Sequence, residues 1–552
     1  MKPDMDCNQA NGHGGRLDAG CRDIDHYASR LPRWRYKLRQ ALIPIIRAET
    51  PYLAMLQHHL RSPNLDGFFA WSANLGTHTA FMVLLPIFFW AGHTSFGRAY
   101  TQMLAAGVFF SGAIKDLLCL PRPLSPPLRR ISMSGSAALE YGFPSTHSTN
   151  AVSVAAYALV LIWRAAEEGR ISSHASTGIQ LLIWGYTFAI VFGRLILGMH
   201  GFFDVIVGSL LGLVIAIVQI QWGEDFEVWL TGPSPIPIIT CLLLILFCVR
   251  IHPEPADDCP CFDDGVAFAG VIIGIEGGIW HFATTSYSVS EPTPGTAPFS
   301  FERVGIFKSL LRVVLGIALI FAWRATMKPI LLGGLPPLFR TLERVGFEMP
   351  RRYFLKASQY TKIPSTAYLD SVIPSASDLP TIITSFRHPR RRAVSIGPQS
   401  QADAYEAIAY RRIRRESMGQ SRTTPSPMHA ASAHPFGRPK FDSVHEQEAR
   451  DASADDSPDV GRERSRSFGE TIRPEIEKYQ GMMGSVAPEQ ETEELGEQEE
   501  EAADQNILAG VQKPRVRYDV EVVTKLIVYS GIAWLAVEGG PILFEILGLG
   551  MS

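Results

Sequence analysis

Residues 141–163 read YGFPSTHSTNAVSVAAYALVLIW. A Gly-Phe-Pro turn gives way to hydroxyl side chains, a histidine and an asparagine, and then to an apolar run without a charge. Pro144 closes the loop, and Ser145 is placed to cap a helix by accepting from its unpaired N–H groups. The run from Thr146 onward predicts a helix of the length that crosses a bilayer, about 20 residues. The first N–H groups of a helix have no partner within it, and the macrodipole leaves its N-terminus partly positive. Such an end receives anions, phosphate oxygens among them. His147 falls in that first turn, beside any anion bound there.

Working outward, apolar runs recur on both sides. Candidate spanning helices cover about 71–92, 98–114, 149–164, 178–198, 203–222, 235–251, 265–282, 307–324 and 520–538, with a further apolar stretch at 540–550. Eight to ten crossings follow. Small residues within them, as in SGAIK and VIVGSLLGLV, permit close helix–helix approach. The average composition, 46% hydrophobic and 19% charged, hides this division. The expected organisation is an N-terminal polar and basic region with interfacial helices (1–69), a transmembrane core (70–250), further transmembrane helices (251–340), an interfacial connector (341–384), a charged insert (385–510) and a C-terminal transmembrane segment (511–552). The insert carries EQETEELGEQEEEAADQ, RHPRRR and RRIRR and is too poor in aliphatic residues to build a core; it is expected to be disordered. Residues 30–47, RLPRWRYKLRQALIPIIR, suit either a membrane surface or an ordinary solvated basic helix. The N-terminus lacks the apolar stretch of a cleavable signal peptide.

The net charge of −3 is divided into opposite blocks, and nothing suggests nucleic acid as a partner. The seven cysteines form no disulfide framework. Cys259 and Cys261 make a C-P-C within DDCPCFDD, but a zinc site needs two more thiolates or histidines close by, and none is assigned here. No metal site and no cofactor are expected. Glu276 and Glu538 lie at membrane depth, where helix–helix hydrogen bonding is the expected role.

Two further clusters share the polar chemistry of residues 141–150. In KDLLCLPRP, Lys115 ends one apolar run and Arg122 follows between two prolines that stiffen its backbone. Two cations at a helix end can receive an anion; they can equally be snorkelling to the headgroup level. In GRLILGMHGFFDVIVG, Arg194 ends a run and His200 and Asp204 are four residues apart. On a helix those two share a face. The carboxylate can then accept from one imidazole nitrogen and leave the other nitrogen's lone pair free for attack, or the pair can simply tie helices together. Taken together, three cations, two histidines, a carboxylate and a helix N-terminus sit at the ends of apolar runs. The number of crossings between them puts all three clusters on one membrane face. Counted from a cytoplasmic N-terminus, that face is the cytoplasmic one.

These residues resemble the three signatures of the type 2 phosphatidic acid phosphatase superfamily. They read Lys115-x6-Arg122-Pro123, Pro144-Ser145-Thr146-His147 and Gly193-Arg194-x5-His200-x3-Asp204, with Thr146 standing where the family has Gly and Gly193 where it has Ser. The longer strings KDLLCLPRPLSPP, EYGFPSTHS and GRLILGMHGFFDV resemble the sphingosine-1-phosphate (long-chain base phosphate) phosphatase branch. The resemblance covers about residues 70–250 and not the insert. It implies an all-α polytopic membrane protein with a phosphatidic acid phosphatase type 2/chloroperoxidase-like core. It also implies a metal-independent phosphatase acting on phosphorylated sphingoid bases in the endoplasmic reticulum membrane. In that scheme His200 is the nucleophile, His147 the general acid and base, and Asp204 orients His200. Lys115, Arg122, Ser145, Thr146 and Arg194 bind phosphate. A broader lipid phosphate or polyprenyl diphosphate phosphatase is the alternative within the enzyme class; a transporter or scaffold on the same fold is the alternative outside it. The resemblance implies a lumenal site, which one more crossing within 38–65 would reconcile with the cytoplasmic count.

Overall fold

Apolar runs without charges can satisfy their backbone in lipid only as helices, and the chain is built accordingly. The structure, a computed structural model, describes residues 19–75, 78–125, 127–131, 139–347, 351–363 and 516–550, all within one compact unit. The charged insert and most of the connector lie outside the described residues. In chain order the helices are α1 (Ile24–Arg30), α2 (Arg33–Leu60), α3 (Pro63–Leu75), α4 (His78–Trp90), α5 (Thr94–Leu118), α6 (Thr146–Glu167), α7 (Ser173–Ile196), α8 (Phe202–Leu230), α9 (Ile236–Ile251), α10 (Cys261–Phe282) and α11 (Phe301–Arg344). After the connector come α12 (Val520–Trp534), a π-helical turn (Leu535–Gly539) and α13 (Gly540–Ile546). Strands β1 (Phe354–Leu355) and β2 (Arg517–Tyr518) pair in parallel.

Among the described residues, six helical stretches are long and apolar enough to cross a membrane: α6, α7, α8, α10, α11 and the α12–α13 run. Helix α9 is apolar but has only 16 residues. Large hydrophobic side chains stand exposed along α7 (Leu181, Leu182, Trp184, Phe188), α8 (Leu210, Val214) and α9 (Leu243, Phe247). Apolar surface on this scale belongs in lipid, and the protein is a multi-pass membrane protein. The stretch 71–92 is helical on both sides of residues 76–77, which lie outside the described residues: α3 runs to Leu75 and α4 from His78 to Trp90. Helix α11 runs on to Arg344, past the expected boundary at 340, and its first turn is offset by a kink at Gly305 with φ of 72°.

Helices α10 and α12 form the dry centre of the second half. Ile275, Ile279, Tyr529 and Ile532 pack there with Trp90 of α4 and Ile320 of α11. Glu276 and Glu538 do bond between elements: Glu276 accepts from Arg98 Nε (2.8 Å) and Gln102 Nε2 (2.7 Å) of α5, and Glu538 pairs with His281 Nδ1 (2.6 Å) of α10.

The first half is held by close approach. A Cβ at Gly208 would come 2.6 Å from the Ser145 carbonyl oxygen, and one at Gly212 2.2 Å from that of Thr149. Only glycine lets α8 lie this near to the start of α6. Helix α2 is not among the helices long and apolar enough to cross a membrane. Its side chains reach the ends of three other helices in turn: Arg35 and Arg39 bond carbonyls at the C-terminus of α5, Glu49 accepts from the Phe203 N–H at the start of α8 (2.8 Å), and Gln57 bonds the Ile196 carbonyl at the end of α7 (2.9 Å). The basic segment is therefore a strap across one end of the bundle.

Candidate active site

The end of the bundle that α2 crosses collects all three sequence clusters. Lys115 lies in the last turn of α5, Ser145 to His147 at the start of α6, Arg194 in the last turn of α7, and His200 and Asp204 at the start of α8. Ser145 caps α6, its side chain accepting from Ser148 N–H (3.3 Å), while its own N–H donates to the Asp204 carbonyl (3.0 Å). That bond ties the His147 turn to the His200 turn. The charge of His147 is among those acting on both His200 and Glu140.

His200 is buried. Its Nδ1 lies 2.9 Å from the Gly142 carbonyl, which fixes Nδ1 as the N–H donor. Nε2 then carries the lone pair, and Arg122 Nη1 stands 3.3 Å from it. The expected direct bond to Asp204 is not made: Oδ2 is 3.7 Å from Nδ1 and instead accepts from the Gly201 N–H at 2.9 Å. A ring N–H has one in-plane direction, and here it points at the nearer carbonyl. Asp204 holds the backbone beside the imidazole rather than the ring itself. Burial, reinforced by the charges of Arg122, Lys115, Arg194 and His147, pushes the His200 pKa well below its ordinary value. The ring is neutral at physiological pH.

Three cations face this imidazole. Lys115 Nζ donates to Thr146 Oγ1 (2.8 Å) and pairs with Glu140. Arg122 donates to the carbonyls of Met199 (2.8 Å) and Glu140 (3.1 Å) and to Glu140 Oε2 (3.0 Å). Arg194 differs: it is 5% exposed, and its Nε and Nη2 have no hydrogen-bond partner among the described residues. An unsatisfied buried guanidinium is costly unless an anion completes it. The two departures from the family signatures fit locally. The Thr146 hydroxyl also bonds Ser111 Oγ (2.8 Å), so it steers the lysine. A Cβ at Gly193 would come 3.0 Å from the Phe69 ring, which fills the space of the missing hydroxyl.

Sequence reasoning passed over three contributors. Glu140 puts a carboxylate between Lys115 and Arg122. Partial burial alone would raise its pKa, but those two cations outweigh it and hold the carboxyl down at about 2. Its place one residue before YGFPSTH was a signal, but a carboxylate runs against the charge logic of a phosphate site. Gly142 acts through its backbone, which no side-chain pattern reveals. Asp257, in the loop between α9 and α10, accepts from the Tyr141 hydroxyl (3.0 Å), the Tyr27 hydroxyl (2.8 Å) and the Gly20 N–H (2.9 Å), and pairs with Arg22 (3.1 Å) and His26 (3.0 Å). It anchors the residue next to Gly142 to the N-terminal segment. Arg39 completes this knot, lying 3.6 Å over the Tyr27 ring and donating to the Gly20 carbonyl (2.7 Å).

A neutral buried imidazole with Arg122 against its lone pair, beside a buried guanidinium short of partners, is an arrangement suited to receiving an anion such as phosphate. The family model described as the PAP2 superfamily matches residues 96–227, a stretch that includes Lys115, Arg122, Glu140, His147, Arg194, His200 and Asp204. The chain is 38% identical over 335 residues to a dihydrosphingosine 1-phosphate phosphatase of Schizosaccharomyces pombe, covering 60% of this chain and 79% of that protein. It is 31% identical to a dihydrosphingosine 1-phosphate phosphatase of Saccharomyces cerevisiae (56% and 73% covered), and 28% identical to lipid phosphate phosphatase delta of Arabidopsis thaliana (57% and 75% covered). No solved structure matches the chain. The chain belongs to the PAP2 superfamily, in the branch that holds the dihydrosphingosine 1-phosphate phosphatases.

Proposed function

We propose that the protein is a phosphoric monoester hydrolase of the membrane that dephosphorylates long-chain sphingoid base 1-phosphates. The observation that carries this reading is the neutral His200 ring, Nδ1 engaged by a carbonyl and Nε2 facing the cation cluster. Nε2 attacks phosphorus, forming an N–P bond as the P–O bond to the lipid alkoxide breaks. His147, as imidazolium, gives that oxygen its proton. His147 then takes a proton from water, the water oxygen attacks phosphorus, and the N–P bond returns its electrons to Nε2 as inorganic phosphate leaves. Lys115, Arg122 and Arg194 hold the phosphoryl oxygens, with Ser145 and the backbone at Thr146 at the positive end of α6. Catalysis of this kind rests on positioning and charge stabilisation, with about 10²–10⁴-fold added by a placed general acid. The relatives' substrates support the sphingoid preference, and the sequence resemblance supports the endoplasmic reticulum as its membrane.

The test is phosphate release by the purified protein from dihydrosphingosine 1-phosphate and from phosphatidic acid in matched micelles. Faster release from the sphingoid substrate, lost in His200→Ala, is expected. Equal rates on both lipids select the broader lipid phosphatase, and undiminished release by His200→Ala refutes the nucleophile.

A further inference from the structure

No metal is expected from the sequence at the C-P-C of 259–261, but the fold brings a buried carboxylate to it. The last turn of α5 brings Asp116 to the start of α10. The carboxylate of Asp116 and the sulfurs of Cys259 and Cys261 all lie within 4.8 Å of one another, and all three residues are buried. The two sulfurs are 2.7 Å apart. His252, at the end of α9, has its Nδ1 3.7 Å from Asp116 Oδ2.

Asp116 is the anomaly. It is 0% exposed, and no N–H or O–H donor among the described residues reaches either of its carboxylate oxygens. The thiol of Cys259 beside it is a weak donor and cannot offset the desolvation of a buried carboxylate, which costs several kcal/mol in general. The nearby cations are engaged elsewhere: Arg517 pairs with Asp258 and Asp263 (2.9 Å each), Lys525 pairs with Asp263 (3.1 Å), and Arg351 stacks 3.4 Å over the Phe262 ring. His252 Nε2 is likewise buried without a hydrogen-bond partner among the described residues.

We infer that Cys259, Cys261 and Asp116 bind a divalent metal of the zinc type. Two thiolates and a carboxylate are three ligands of the kind zinc takes, which leaves a fourth position of the tetrahedron for another donor. Binding releases the two thiol protons to solvent; neither sulfur is oxidised. The ion would clamp α5, whose previous residue is Lys115, to α10 and to the loop that carries Asp257. A Cβ at Gly112 would come 3.3 Å from the Cys261 carbonyl oxygen, so the two helices already touch here. The ion takes no part in the chemistry proposed above, and the inference stands whichever lipid the enzyme prefers.

The experiment is elemental analysis of the full-length protein purified in detergent without chelators, with X-ray absorption at the zinc edge. About one zinc per chain is expected, with two sulfur neighbours near 2.3 Å, roughly the usual zinc–thiolate distance. Zinc should fall at least fivefold in Cys259→Ser/Cys261→Ser and in Asp116→Asn, and stay unchanged in Cys241→Ser, which lies outside the cluster. Wild-type protein with less than a tenth of an equivalent of metal overturns the inference, as does a Cys259–Cys261 disulfide found by mass spectrometry. These wild-type readouts decide the matter even where a variant does not fold.

Discussion

In the proposed mechanism Glu140 occupies the place that the substrate phosphate would take. Its carboxylate pairs with both Lys115 and Arg122, and Arg122 stands 3.3 Å from the His200 lone pair. A bound phosphate dianion must therefore share or displace it, and the unpartnered Arg194 is the one cation of the three that gains outright. Glu140→Gln removes the competing charge while keeping the shape. Inorganic phosphate should then inhibit about tenfold more tightly, an increment of ~1.4 kcal/mol. An inhibition constant that is unchanged, or weaker, would falsify the seat-holder role. His147 makes a second residue-level test. As general acid it matters in proportion to how poor the leaving group is. His147→Ala should slow release from a lipid phosphate about 10²–10⁴-fold and from a nitrophenyl phosphate far less. Equal losses on both esters would exclude proton donation to the leaving oxygen.

At the level of elements, the site is a meeting of helix ends, and what sets those ends is remote in sequence. The His200 imidazole is held by the Gly142 carbonyl, and the neighbouring Tyr141 is held by Asp257, 116 residues further on. Tyr141→Phe cuts this link while leaving the ring in its core. We expect kcat to fall roughly tenfold through loss of positioning, with KM little changed, because the phosphate-binding cations are untouched. A rise in KM at constant kcat would show that Tyr141 serves binding instead. This division explains what the sequence could disclose. Lys115, Arg122, His147, Arg194, His200 and Asp204 were legible because each is a costly ionisable group at the end of an apolar run, a local signal. Asp257, Glu49 and the carbonyl-capping Arg35 and Arg39 were not, because their partners are backbone groups of other elements. The direct His200–Asp204 bond was expected from helical spacing alone; the competing carbonyl of Gly142 belongs to a loop that spacing does not see.

Across the whole molecule, the chain departs after residue 363 and returns at 516 beside the point of departure. Phe354 and Leu355 pair in register with Arg517 and Tyr518. Asp519 then locks the two together, accepting from the Ala357 N–H (2.8 Å) and the Tyr360 hydroxyl (2.7 Å), while the Tyr360 and Tyr518 rings meet edge to face at 4.8 Å. The return matters because α12 fills the centre of the second half against α10, with Trp323 of α11 bonding the Val528 carbonyl at 3.1 Å. The membrane part thus closes on itself before and after the charged insert. If that insert is a separate unit, the bundle should fold without it. Replacing 370–510 with a flexible linker of about ten residues, which reaches roughly 30 Å when extended, should leave the melting temperature within a few degrees and phosphate release within twofold. Loss of folded protein would mean that the insert contributes to the bundle. Retained folding with lost activity would mean instead that it acts on the site, and either result would redraw the domain boundary at 385.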